Sequence, residues 1–179
     1  MITVIDSVGW LHTFACVLAL YLGAVLLLSV QGTPRHRRLG RYYFVSMLVV
    51  NLSALLIYRM NVFFFPHWLA IITLLVLAVG YWVIIQKPFK RWLGIHIFCV
   101  ITSYYMLIGG AINEAFLRLD YVIAIAERTD GLAYNTAHTI GMCVYGLMLV
   151  YYCYFGRFSK KHSKYLAVRK SNVGVSGER

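Results

Sequence analysis

The sequence predicts an all-α polytopic membrane protein of five transmembrane helices, a four-helix antiparallel core with a fifth helix beside it. Three observations predict it. Hydrophobic residues make up 61% of the 179 residues and charged residues only 13%, against about 25% charged in soluble domains. The apolar residues fall into five runs, each near the ~20 residues that a helix needs to cross a bilayer. Lys and Arg collect at the same end of successive runs. A soluble globular enzyme, a disordered tail and a secreted disulfide scaffold are excluded by this composition.

The first span runs from about Val8 to Val30 and stops at the turn Gly32-Thr33-Pro34. The second runs from about Leu39 to Val62, and Pro66 separates it from the third, about His67 to Ile85. Lys87-Pro88 closes the third, the fourth covers about Trp92 to Leu117, and the fifth about Leu132 to Phe155. Residues 1–157 thus read as a five-span transmembrane domain and 158–179 as a basic cytoplasmic tail, mobile at its end. No cleavable leader is expected, because the first residues lack Lys and Arg and the first apolar run is too long. Between spans four and five, the apolar middle of Asp120 to Asp130 is too short to cross; it reads as an interfacial half-turn or as a continuation of helix four.

The net charge of +11 is a topology signal. The cations cluster in Arg35, Arg37, Arg38 and Arg41, in Lys87, Lys90 and Arg91, and in the tail from Arg157 to Lys170. Clusters that flank apolar spans orient the chain and meet anionic lipid, so membrane lipid is an expected partner and nucleic acid is not. Arg59, Arg118 and Arg128 fall on the opposite side, together with Asp6, Glu114, Asp120, Glu127 and Asp130. The expected placement is multi-pass in a bacterial inner membrane, N-terminus outside and C-terminus cytoplasmic. Cys16, Cys99, Cys143 and Cys153 all lie in apolar runs, where a thiol behaves as a small hydrophobe.

Ionisable residues at membrane depth point to function. Six histidines are present, of which His162 lies in the basic tail. Spans one to four each carry one near their N-terminal end, and because the chain reverses at each turn, His12 and His67 fall outside while His36 and His96 fall inside. Alternate helices of a four-helix bundle face each other across the core. Each pair is therefore placed to hold an iron porphyrin between two imidazoles. The helical stripe from His12 passes through Cys16, Ala19 and Gly23, and that from His96 through Cys99, Ser103 and Gly110, with small residues that leave room for something bulky. From His36 the stripe reads Gly40, Tyr43, Met47 and Asn51; from His67 it is an ordinary packing face of Ile71, Leu74 and Ala78. Porphyrin propionates need cationic partners. Arg37, Arg38 and Arg41 stand at that level inside, and Arg59 and Arg118 outside, where Glu114 or Asp120 is an equally good partner for Arg118.

Four antiparallel spans with a histidine near the start of each resemble the di-haem transmembrane b-type cytochromes of the ascorbate-reductase type, over roughly Trp10 to Leu117. That resemblance implies two b-type haems, one near each face, on His12, His67, His36 and His96. It further implies transmembrane electron transfer by a membrane oxidoreductase, with a quinol or another membrane redox protein as partner. The run His36-Arg37-Arg38-Leu39-Gly40 is also similar to the H-R-x-L-G motif of a bacterial predicted-membrane-protein family of unknown function. The fifth span departs from the cytochrome pattern.

Two alternatives stay open. His12, His67 and His138 with Glu114 are candidates for an outer copper or zinc site, as in an oxidase-assembly factor; otherwise His138 bonds to Asn135 or Tyr134. A structural or transport accessory subunit is the other, with Asn51 and Gly109-Gly110 as the sole hints of a transporter's broken helix. Gly109-Gly110 reads more simply as a packing notch. Most tyrosines fit interfacial belts, whereas Tyr104 and Tyr105 lie mid-span, lining a pocket or filling the core. No nucleophilic triad, Cys-x-x-Cys pair or phosphate-binding glycine loop is present.

Overall fold

The structure is a computed structural model and describes residues 4–57, 65–88 and 90–155. Six helices follow one another: α1 (Val4–Leu28), α2 (Pro34–Leu56), α3 (Phe65–Gln86), α4 (Trp92–Arg118), α5 (Asp120–Arg128) and α6 (Leu132–Phe155). Among the described residues, four segments are long and apolar enough to cross a membrane: Ser7–Leu28, Pro34–Leu56, Phe65–Gln86 and Trp92–Arg118. The expectation of five spans is thus met by four, and α6 is not among them. Its first turns carry Tyr134, Asn135, Thr136, His138 and Thr139, which confine its apolar character to the second half.

Helix α2 begins earlier than the apolar run suggests. The Thr33 hydroxyl accepts from the His36 backbone N–H at 3.1 Å, Pro34 takes the first turn, and Gly32 at φ +76° makes the reversal. The helix therefore runs through the Arg35–Arg41 cluster before reaching apolar sequence, since capping sets where a helix starts and hydropathy only where it enters lipid. Between α4 and α6 the chain neither continues helix four nor makes a half-turn. Leu119 is extended (φ −93°, ψ 108°) and splits off α5 as a separate nine-residue helix.

The packing order is that of an antiparallel four-helix bundle. α1 lies on α2, α2 on α3, α3 on α4, and α4 closes on α1. Among the described residues α1 and α3 make no close backbone approach, nor do α2 and α4, so alternate helices are diagonal. α6 packs on α4 outside the bundle, and α5 touches α4 and α6.

The core holds Ala15, Ala19, Leu22 and Leu26 of α1 against Tyr43, Met47 and Val50 of α2, Leu77 of α3, and Tyr104 and Leu107 of α4. The opposite face of α1 exposes Trp10, Phe14, Val17 and Tyr21, a stripe suited to lipid. Two glycines set helix distances. A Cβ on Gly23 would lie 2.3 Å from the Tyr104 ring, and one on Gly80 2.8 Å from the Cys99 Cβ. Gly109 and Gly110 are not a packing notch, since a Cβ on either would meet nothing within 4 Å. The room left by the His12 stripe is taken by the protein itself. The Tyr104 ring fills the space over Gly23, and its hydroxyl donates to the Leu20 carbonyl at 3.1 Å.

Candidate functional site

At the end of the bundle where α1 finishes and α2 starts, a cavity of about 750 Å³ opens among α1, α2, α3 and α4. Its size is that of a cofactor pocket. Among the described residues, four cations line it, Arg37, Arg38, Arg41 and Lys87, and no acidic residue does. Deeper, the walls turn apolar and aromatic, with Tyr43 and Leu77, and with Phe44 stacked on Tyr81 at 4.5 Å between ring centroids. Lys87 holds a left-handed conformation (φ 47°) with its ammonium 5.2 Å from the centre of the Trp92 ring, which also borders the cavity.

His36 and His96 both face this cavity, from the diagonal helices α2 and α4. The bonds at their Nδ1 atoms fix both tautomers. His96 Nδ1 lies 2.9 Å from the Gly80 carbonyl, which can only accept, so the proton is on Nδ1. His36 Nδ1 lies 3.1 Å from the Ser29 hydroxyl, whose own hydrogen is given to the Leu26 carbonyl at 2.9 Å. Ser29 is therefore the acceptor there as well. Each Nε2 is left with a lone pair and no hydrogen-bond partner among the described residues, on a ring that lines the cavity. An Nδ1–H anchored on an oxygen behind the ring is the usual posture of a metal-ligating histidine.

The other end differs. His12 Nδ1 donates to the Val50 carbonyl at 3.1 Å and meets the Ser53 hydroxyl at 2.9 Å, both on α2. Its Nε2 is 3.5 Å from Cys16 Sγ. Both nitrogens of His12 are thus occupied. His67 is buried on α3, with 1% of its surface exposed. His138 bonds neither to Asn135 nor to Tyr134. Its Nε2 donates across to Asn113 Oδ1 on α4 at 3.1 Å, the same oxygen that accepts from the Tyr134 hydroxyl at 2.8 Å. Tyr134 meets His138 edge to face. Glu114 is the ion-pair partner of Arg118, one turn along α4. Among the described residues no group of three or more His, Cys, Asp or Glu side chains comes together to hold a metal ion. The outer set of His12, His67, His138 and Glu114 is therefore not gathered into a ligand shell, because three of its members are engaged elsewhere.

Arg38 and Arg41 border the cavity, while Arg59 and the basic tail lie outside the described residues. Sequence reasoning missed the groups behind the histidines, Ser29 and the Gly80 carbonyl, and the cavity residues Phe44, Tyr81 and Lys87. Ser29 had a signal in its position one turn before the Gly32 reversal; the carbonyl of a mid-helix glycine had none.

Residues 9–154 match the family described as Predicted membrane protein (DUF2306). The chain belongs to that family. This agrees with the likeness seen in the His36–Gly40 motif and makes the chain a multi-pass integral membrane protein in contact with lipid. The likeness to b-type cytochromes gains no support from the match. Comparison with the curated proteins and with the solved structures gives no match.

Proposed function

We propose that this chain is a membrane haem protein that carries electrons, with one b-type haem at the basic end between His36 and His96. The observation that carries this reading is the pair of histidines lining one cavity from diagonal helices, each ring fixed by an Nδ1 bond to an oxygen of the bundle and its Nε2 without a protein partner among the described residues. Arg37, Arg38 and Arg41 stand where propionates need charge-assisted hydrogen bonds. The apolar walls exclude water from the macrocycle and help to set its potential. Bound there, the group supplies one-electron chemistry; the protein supplies ligation, charge compensation and a dry pocket.

A second haem at the other end needs His12 to leave Val50, Ser53 and Cys16, so the support is for one site rather than a two-station relay. In this reading the basic end faces the cytoplasm, following the Lys and Arg bias. The 24-residue α6 crosses as a fifth span with its polar first turns at the opposite interface. A reporter fused after Arg179 is then cytoplasmic; a signal from the other side refutes the orientation. The function itself is tested by haem content. Full-length protein made with ample haem and purified in detergent should hold about one haem per chain with a low-spin spectrum. Two per chain would restore the relay, and a colourless preparation would refute the proposal.

A further inference from the structure

The cysteine and histidine at the other end of the bundle form a pair that the haem site does not use. His12 and Cys16 are one turn apart on α1, with Sγ and Nε2 at 3.5 Å, and both residues are half-buried. The tautomer of His12 is fixed. The Val50 carbonyl takes the Nδ1 proton, and the Ser53 hydroxyl spends its own hydrogen on the α2 carbonyls of Val49 and Val50, at 2.6 and 3.0 Å. Nε2 therefore offers a lone pair, with Cys16 Sγ 3.5 Å away to donate to it. A sulfur and an imidazole nitrogen are held a few ångströms apart, with the imidazole oriented by oxygens on its far side, as ligand histidines are.

We infer that Cys16 and His12 form a two-coordinate site for a soft monovalent cation, copper(I) or its analogue silver(I). Three arguments converge on that ion class. Thiolate is a soft ligand that selects copper(I), and a d¹⁰ monovalent ion accepts two ligands, whereas zinc(II) requires four. No further His, Cys, Asp or Glu joins the pair among the described residues to complete a divalent shell. Charge decides the rest. On binding, the Cys16 S–H bond breaks and its proton leaves to solvent, a metal–sulfur bond forms, and Nε2 donates its lone pair. The His12 Nδ1 proton stays where it is. One thiolate cancels one monovalent cation, so the product is neutral and suits a low-dielectric bundle, while a divalent ion would leave a net charge. The charged groups whose field reaches His12, Glu114 and Arg118, are paired with each other.

The test is a silver(I) and copper(I) titration of the full-length protein in detergent, with a competing copper(I) chelator. One ion per chain is expected, with release of one proton. Cys16→Ser and His12→Ala should each weaken binding at least about tenfold, and Ser53→Ala by a smaller factor through the orientation of the ring. Cys99→Ser and Cys143→Ser should leave binding unchanged, and far-ultraviolet circular dichroism checks that each variant folds. X-ray absorption at the copper edge of the wild-type protein decides even if a variant fails to fold. One sulfur and one nitrogen neighbour is the expected shell. Two sulfurs, only light-atom neighbours, or binding indifferent to Cys16→Ser would overturn the inference.

Discussion

The two ends of the bundle contain the same residue type at comparable depth and put it to different use. At the basic end, His36 and His96 each make one ring hydrogen bond and line a cavity rimmed by Arg and Lys. At the end that carries α5, His12 is bonded at both nitrogens, and His138 is tied to Asn113 and set edge to face with Tyr134. At the basic end two imidazoles from diagonal helices border one cavity; at the other end each imidazole is held by contacts to a neighbouring helix and, among the described residues, the two share no cavity wall. What separates the two ends is therefore the set of oxygens around each ring, and not the spacing of histidines along the chain.

The largest effect should come from stripping the cavity of its charge. On the proposed function, Arg38→Ala combined with Arg41→Ala removes two propionate partners, each worth about 1.5–3 kcal/mol as a charged hydrogen bond. Haem retention should fall a hundredfold or more in a competition assay, while the outer residues and the helical content stay unchanged. Undiminished retention would detach the cations from the ligand and leave them as orientation signals alone.

Next in size is the seam between the ends. Gly23→Ala drives a methyl to 2.3 Å from the Tyr104 ring and 3.2 Å from Tyr43. Overpacking should cost about 1–3 kcal/mol, read as a lower unfolding midpoint in detergent. Gly109→Ala meets open space and should be neutral or stabilising, by up to about 1 kcal/mol. Equal loss from both would mean that Gly23 does not set the α1–α4 distance.

Smaller effects should come from the contacts at the other end. His12→Ala removes the α1–α2 bonds to Val50 and Ser53 and should cost about 0.6–1.7 kcal/mol of stability, the range for interhelical hydrogen bonds in membranes. Haem content should not change. Asn113→Ala deprives Tyr134 and His138 of their shared acceptor. Because that cluster is partly open to solvent, the loss should sit near the low end, about 0.6 kcal/mol. Thermal unfolding of the two variants, followed side by side, gives the order.

Much of the architecture was legible in the sequence because lipid imposes a length and a composition on any helix that crosses it. The runs that became α1, α3 and α4 needed no more than that. The start of α2 was also written in the chain, in Thr33-Pro34, but in the language of capping rather than hydropathy. Leu119 is a different matter. Neither Pro nor Gly marks the break before α5, so nothing local announced it. The site was legible only in its residue types and depths. That His36 would find Ser29, His96 the carbonyl of Gly80, and His12 the thiol of Cys16 depends on helix rotation and on which glycine allows which approach. The stripe Cys16, Ala19, Gly23 illustrates the difficulty. Its small residues do make room for a ring, and the ring is that of Tyr104.

On the proposed function, His36 and His96 hold the haem, and His12 and His138 do not. Reduced-minus-oxidised visible spectra of the four single alanine variants, made with ample haem and compared at equal protein concentration, test it most directly. His36→Ala and His96→Ala should each lose the low-spin spectrum of iron held by two imidazoles, and His12→Ala and His138→Ala should keep it. A spectrum that disappears with His12→Ala and survives His96→Ala would contradict the account.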